Sequence, residues 1–438
     1  MFTLLRIGTG AGFAGDRLEP AQALVEEANL DYLILEGLAE RTIALSQKQK
    51  RKNPNLGYNE YLEERIRILL PALIKNNVRL ITNMGAANAI SAAQKITEIA
   101  GDMGLACKVA SVTGDDVLEN LNREVSALES GINLREYEPI LSANAYLGID
   151  ALLPALSSDA NIIVTGRAAD PSLFLAPIVH HYNWNVEDFD LMGQGTLIGH
   201  LLECAGQITG GYFADPGYKD VEGLANLGFP FAIVEPNGSA VITKLPNTGG
   251  MVSLQSVKEQ LLYEVHDPEN YYTPDCVANF STAKLKEIDM DQILVYGATG
   301  KQKPDTMKVS VGYHAGYLGE GEISYAGSTA LARGELAEQI LKERLKPNYP
   351  ELRTDLIGVS SLHHGQFGSH SPYEVRVRAA ALCKGEEEAR RIGHEVEALY
   401  TNGPAAGGGV RKRVEEVIGI VSTLIERKEI AINTHVWE

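Results

Sequence analysis

Between residue 3 and about residue 200 the chain repeats one unit: a short apolar run, then a glycine, amide or acidic residue, then a stretch with apolar residues at helical spacing. The runs lie at 3–7, 32–35, 78–82, 108–111 and 162–165. A strand apolar at consecutive positions is buried on both faces, which happens where helices cover both sides of a mostly parallel sheet. The intervening stretches predict helices over 20–28, 60–75, 89–100, 115–128, 150–156 and 171–180. This is an α/β pattern, and in such sheets the ligand crevice opens at the carboxyl ends of the strands.

Past residue 225 the pattern changes. Residues 231–235 and 240–245 flank Pro236-Asn237-Gly238 and read as an antiparallel hairpin. Strands are expected at 292–296, 307–313 and 373–380, and helices at 253–265, 328–346 and 385–400. A chain of 438 residues exceeds one ordinary core. The expected organisation is an α/β domain over 1–225, a mostly parallel sheet flanked by helices, and an α+β domain over 226–438.

Composition narrows the function. A formal charge of −18 argues against a nucleic-acid partner, which needs surplus Lys and Arg on one face. The one basic run, 48–52, reads as a solvated loop. Cys107, Cys204, Cys276 and Cys383 form no C-x-x-C pair, so neither a zinc site nor a disulfide framework is expected. No apolar segment approaches about eighteen residues and the start lacks a signal-peptide pattern, so the expectation is a cytoplasmic protein without a membrane partner. Homo-oligomerisation is expected on general grounds for an enzyme of this size.

The strand ends carry the candidate site. After the first run, Gly8-Thr9-Gly10-Ala11-Gly12-Phe13-Ala14-Gly15-Asp16, with Glu36 closing the second run, nearly matches a dinucleotide-binding fingerprint. In that fingerprint the helix begins inside the loop, whereas Pro20 places the helix start near residue 19 or 20. Three readings stay open: a loop that wraps a small ligand, a nucleotide loop and a structural turn. The third run leads into Asn83, Gly85 and Asn88 before an alanine-rich helix, where the amides either cap the helix or hold an anion. The fourth ends in Asp115-Asp116, one of them expected to cap the helix that follows.

The run at 162–165 ends in Gly166-Arg167-Ala168-Ala169-Asp170-Pro171. Arg167 offers a fork that grips a carboxylate or phosphate, or it pairs with Asp16 or Glu36; Asp170 either caps the helix or joins the site. Asp16, Glu36, Arg167 and Asp170 are the candidate catalytic residues; Gly10, Gly12, Gly15, Asn83, Gly85 and Asn88 are candidate binding residues. Both signs of charge at one rim suit acid–base work on an anionic substrate. His200 and Glu203 stand one helical turn apart and can pair. Gly249-Gly250 is a further anion-loop candidate, as is 406–409 with Arg411, Lys412 and Arg413. His363, His364 and His370 read as a solvated or substrate-facing loop, and no metal site or cofactor is assigned.

The stretches Gly10-Ala-Gly-Phe-Ala-Gly-Asp-Arg17, Glu36-Gly-Leu-Ala-Glu-Arg-Thr42, Thr82-Asn-Met-Gly-Ala-Ala-Asn88, Thr165-Gly-Arg-Ala-Ala-Asp-Pro-Ser172, Thr209-Gly-Gly-Tyr-Phe-Ala-Asp-Pro216 and Gly319-Glu-Gly-Glu-Ile-Ser-Tyr-Ala-Gly327 together resemble the acyclic terpene utilisation (AtuA) family. The likeness runs through Asn402-Gly-Pro-Ala-Ala-Gly-Gly-Gly-Val410 and covers nearly the whole chain. It implies a setting in the bacterial breakdown of acyclic terpenoids such as citronellol and geraniol, beside enzymes acting on branched acyl-CoA thioesters. Many members carry an additional small ferredoxin-like domain after the point where this chain stops, so the resemblance leaves two alternatives: the chain acts alone, or with a separate small ferredoxin-like partner protein supplying that piece. The resulting expectation is a catabolic lyase or hydratase acting on a small carboxylate or CoA thioester. The alternatives are a nicotinamide-dependent oxidoreductase and a noncatalytic subunit of a two-component enzyme.

Overall fold

The computed structural model describes residues 4–364 and 372–438. The early apolar runs become β1 (Leu5–Ala11), β2 (Tyr32–Leu35), β3 (Arg79–Thr82), β4 (Val109–Thr113) and, after an additional strand β5 (Ile140–Ala145), β6 (Ile162–Thr165). They lie in the order β1-β2-β3-β6-β4, parallel at every junction. Between and after them run α1 (Glu19–Glu27), α2 (Glu40–Lys52), α3 (Leu62–Asn76), α4 (Ala89–Asp102), α5 (Ile149–Leu156), α6 (Asp170–Tyr182) and α7 (Phe189–Leu202).

Alternation along the strands divides the core. Leu33 and Leu35 of β2 join α1, α3 and α4 in one buried cluster, whereas Tyr32 and Ile34 join α5, α6 and α7 in the other. Helices therefore cover both faces, as the continuous apolar runs require.

Two local expectations fail. No α-helix forms over 115–128; the segment holds a short 3-10 turn, Leu118–Asn120. Asp115 turns inward instead of capping, and the Val117 N–H donates to the Ala143 carbonyl, so pairing with β5 takes the backbone groups a helix would need. The basic run 48–52 is not a loop but the end of α2, where Lys50, Arg51 and Lys52 sit in the last turn and favour the negative end of the helix dipole.

The hairpin is present as β7 (Pro230–Val234) and β8 (Ala240–Lys244), antiparallel and turned at Gly238 with φ 84°. Next come α8 (Leu254–Leu262), β9 (Tyr271–Tyr272), β10 (Val277–Asn279), β11 (Lys284–Asp289), β12 (Gln292–Tyr296) and β13 (Thr299–Lys301), then β14 (Thr306–Ala326), α9 (Ala330–Leu345), β15 (Arg353–Ile357), β16 (Glu374–Cys383), α10 (Glu386–Asn402), β17 (Gly408–Glu426) and β18 (Asn433–Trp437). β7 pairs antiparallel with β1 and β18 with β4, so the large sheet reads β11-β12-β8-β7-β1-β2-β3-β6-β4-β18.

That pairing moves the domain boundary. The larger compact unit comprises residues 1–136, 140–312 and 420–438, and the smaller 137–139 and 313–419. The expected division at 225 would cut β7 from β1. The smaller unit is α+β: strands in the order β15-β16-β14-β17, with Ile323, Val375 and Val377 packed with Leu341 of α9 and Ile392 of α10. No helix among the described residues is long and apolar enough to cross a membrane.

Candidate functional site

Register brings the site together. Leu35 pairs with Thr82, and Thr82 with Val164, so Glu36, Asn83 and the segment leading to Arg167 leave the sheet side by side. Glu36 Oε1 accepts hydrogen bonds from Asn83 Nδ2 and the Leu38 N–H, both at 2.9 Å. Asn83 Oδ1 accepts from the Gly37 N–H at 2.9 Å, so this fully buried amide holds Glu36 and its loop rather than an anion. No bond among the described residues reaches the other Glu36 oxygen.

Arg167 is buried and its fork is occupied. Nε and Nη2 donate to the Ala168 carbonyl at 3.0 and 2.7 Å, Nη1 to the Leu38 carbonyl, and Nη2 also to Asp170. Its partner is thus Asp170, not Asp16 or Glu36. The Arg167 N–H donates to Asp115 at 2.9 Å, and Asn144 donates to the same carboxylate oxygen at 2.8 Å. The Tyr146 ring lies 4.6 Å from the guanidinium, and its hydroxyl donates to Glu40. Lys308 Nζ stands 3.7 Å from Glu40 and 4.9 Å from the same ring.

Glu36, Glu40, Tyr146, Arg167, Asp170 and Lys308 line a cleft of about 480 Å³ in the larger unit, bounded also by Gly12, Phe13, Glu203, Cys204 and Tyr263, with Asn83, Asp115 and Asn144 behind its wall. Acids outnumber bases there. Burial, reinforced by Asp170, pushes the Glu36 carboxyl up to about 8. Asp170 is raised by burial, which Arg167 only partly offsets. Burial raises Asp115 to about 6. Burial also works against Glu40, but the hydrogen bond from Tyr146 and the charges of Arg167 and Lys308 leave it below the usual range. Arg167 pays for its burial through the surrounding acids, Asp170 first, and is held firmly protonated.

His200 and Glu203 do pair, His200 Nδ1 to Glu203 Oε1 at 3.0 Å, while Nε2 reaches the Leu261 carbonyl at 3.2 Å. A carbonyl only accepts, so Nε2 carries a proton. The Nδ1 contact then needs one further proton, on either the ring or the carboxyl. Burial raises Glu203 to about 7, and its Oε2 is buried with no hydrogen-bond partner. Burial and the Glu203 charge push the Cys204 thiol up, which keeps it protonated and unsuited to nucleophilic attack.

The remaining candidates serve local structure. Asp16 Oδ2 accepts from the Gly12 and Phe13 N–H groups at 2.7 and 3.2 Å, occupying amides a pyrophosphate would need, and α1 starts only at Glu19. A Cβ on Gly12 would come within 2.5 Å of the Cys204 backbone, so that glycine serves a close approach to the end of α7. Gly10 packs on Leu35 and Ala21, Gly15 on Phe13, and Gly85 on the Thr165 carbonyl. The nicotinamide reading loses its loop. Asn88 caps α4 by accepting from the Ser91 N–H and donates to the Pro54 and Leu56 carbonyls, and Gly249 and Gly250 line a separate cavity with Lys244 and Asp291.

The 406–409 loop leads into strand β17, not a helix, and Lys412 and Arg413 pair with Glu397 and Glu415. His363 and His364 are exposed, and His370 lies outside the described residues. Sequence reasoning missed Glu40, Tyr146 and Lys308. Glu40 sits on the unexpected helix α2, Tyr146 follows the unexpected strand β5, and Lys308 comes from beyond the expected domain boundary.

No curated protein matches the chain. The model of the acyclic terpene utilisation family protein AtuA matches residues 5–436. With the motifs at the strand ends inside that match, the chain belongs to the acyclic terpene utilisation (AtuA) family, whose setting is catabolic.

Proposed function

We propose that the chain is a catabolic enzyme of lyase or hydratase type, acting on a small carboxylate or an acyl-CoA thioester in acyclic terpenoid or branched-acid breakdown. The observation that carries this reading is Glu36: a buried carboxyl, pinned through one oxygen by Asn83 and Leu38, with a pKa raised to about 8. A carboxyl that still holds its proton near neutral pH is matched to general acid–base work. Glu203, raised to about 7 in the same cleft, releases its proton more readily than Glu36 and supplies the base.

Adding water across a double bond conjugated to an acyl group needs two proton transfers. Glu203 accepts a proton as the water oxygen bonds to the β-carbon, and the π electrons take a proton from Glu36 at the α-carbon. Elimination reverses both steps. Lys308, its side chain 46% exposed, is the cation available to an acid group. Arg167, with its fork on Asp170 and backbone carbonyls, fixes the Glu36 loop instead.

The test is hydration of a branched 2-enoyl thioester, followed by loss of its conjugated absorbance. Glu36→Gln is expected to lower kcat by at least about 100-fold with KM little changed. Undiminished turnover in this variant would contradict the assignment.

A further inference from the structure

A second cavity of about 510 Å³ adjoins the cleft at Phe13, and the two share Gly12, Phe13, Cys204 and Tyr263. The chemistry changes along the way. Phe13, Tyr212, Leu224, Leu227, Phe229 and Tyr263 supply the large apolar and aromatic side chains of this annex. Its charged side chains are already engaged: Asp16 accepts from the loop amides of Gly12 and Phe13, and Arg17 donates to the Leu224 and Ala225 carbonyls at 3.1 and 3.0 Å.

Phe13 is 61% exposed and Tyr212 87% exposed. Two such rings beside one cavity form the kind of apolar surface that marks a binding site. Tyr212 also has φ 60°, a conformation a bulky side chain adopts at a cost, and it holds the ring edge-on to Tyr263 with centroids 6.2 Å apart.

We infer that the annex is a tail subsite: it takes the apolar chain of an acyl substrate whose polar head lies in the cleft among Glu36, Tyr146 and Lys308. The inference rests on the acyl-substrate reading above and adds to it a preference for medium-length chains. The shared wall of the two cavities is what names the occupant, because a chain leaving the cleft past Phe13 meets six large apolar or aromatic side chains, while the two charged ones, Asp16 and Arg17, hydrogen-bond to the backbone.

Calorimetry on the full chain with n-alkanoates of four to ten carbons, and with their N-acetylcysteamine thioesters, reads this directly. In whichever series binds, affinity is expected to rise about fourfold per methylene until the annex is filled. The double variant Tyr212→Gly, Leu224→Asn should flatten that rise and leave the four-carbon member unchanged; glycine tolerates the backbone at 212. Lys308→Ala should weaken all members alike. Affinity independent of chain length, or a rise that persists in the double variant, overturns the tail subsite while leaving the acyl reading standing. Absence of binding by both series overturns the two together.

Discussion

Glu36 concentrates the residue-scale chemistry. Its folded pKa, about 8, lies above the ordinary value of 4.5, so the fold disfavours its ionised form. The unfolded chain releases this proton first, and the contribution to stability is therefore full below about pH 4.5 and declines as pH rises toward 8. At pH 7 the loss amounts to about 3 kcal/mol. Denaturant titrations across that window are expected to show a decline in the wild type that Glu36→Gln removes; equal slopes would contradict the burial account. Strand ends follow from apolar runs, which is why the sequence led to an expected rim of Asp16, Glu36, Asn83 and Arg167; Glu36, Asn83 and the segment leading to Arg167 leave the sheet side by side, whereas Asp16 binds its own loop amides. The sequence did not reveal that Arg167 spends its donors on Asp170 and two backbone carbonyls, since which acceptor lies nearest a side chain is a tertiary fact.

At the scale of elements, the junction of the β1 loop with the end of α7 decides how the cleft wall is made. Gly12→Ala places a methyl against the Cys204 backbone, which cannot yield as a side-chain tip would. The expected cost is about 1–3 kcal/mol in a denaturation midpoint, together with weakened acyl binding. A variant as stable and as tight as the wild type would show that the close approach is dispensable. The runs at 32–35 and 162–165 match their strands residue for residue, because burial on both faces leaves an unbroken apolar signature. α2 was illegible for the opposite reason: it buries only a narrow stripe, Ile43, Ala44, Ser46 and Gln47, and ends in four consecutive charged or amide residues from Gln49 to Lys52. The false helix at 115–128 had the periodicity but lost its backbone groups to β5.

On the scale of the whole molecule, the sheet ignores the change in pattern at residue 225. A chain ending there would leave β1 without β7 and β4 without β18, baring both edges of the parallel block. Such a fragment is expected to be insoluble or unfolded, and a soluble, cooperatively unfolding 1–225 would contradict the sheet order. No local signal announces that residues 230–234 pair with residues 5–8, so the boundary could not be read from composition. The formal charge of −18 has a counterpart in the acid-rich cleft, where burial raises Glu36 to about 8 and Glu203 to about 7. The most direct measurement is therefore the infrared carboxyl band of Glu36, taken as the difference between wild type and Glu36→Gln across pH. The account predicts a protonated C=O band at pH 7 that disappears with a midpoint near 8; a difference spectrum showing only carboxylate at pH 6 would contradict it.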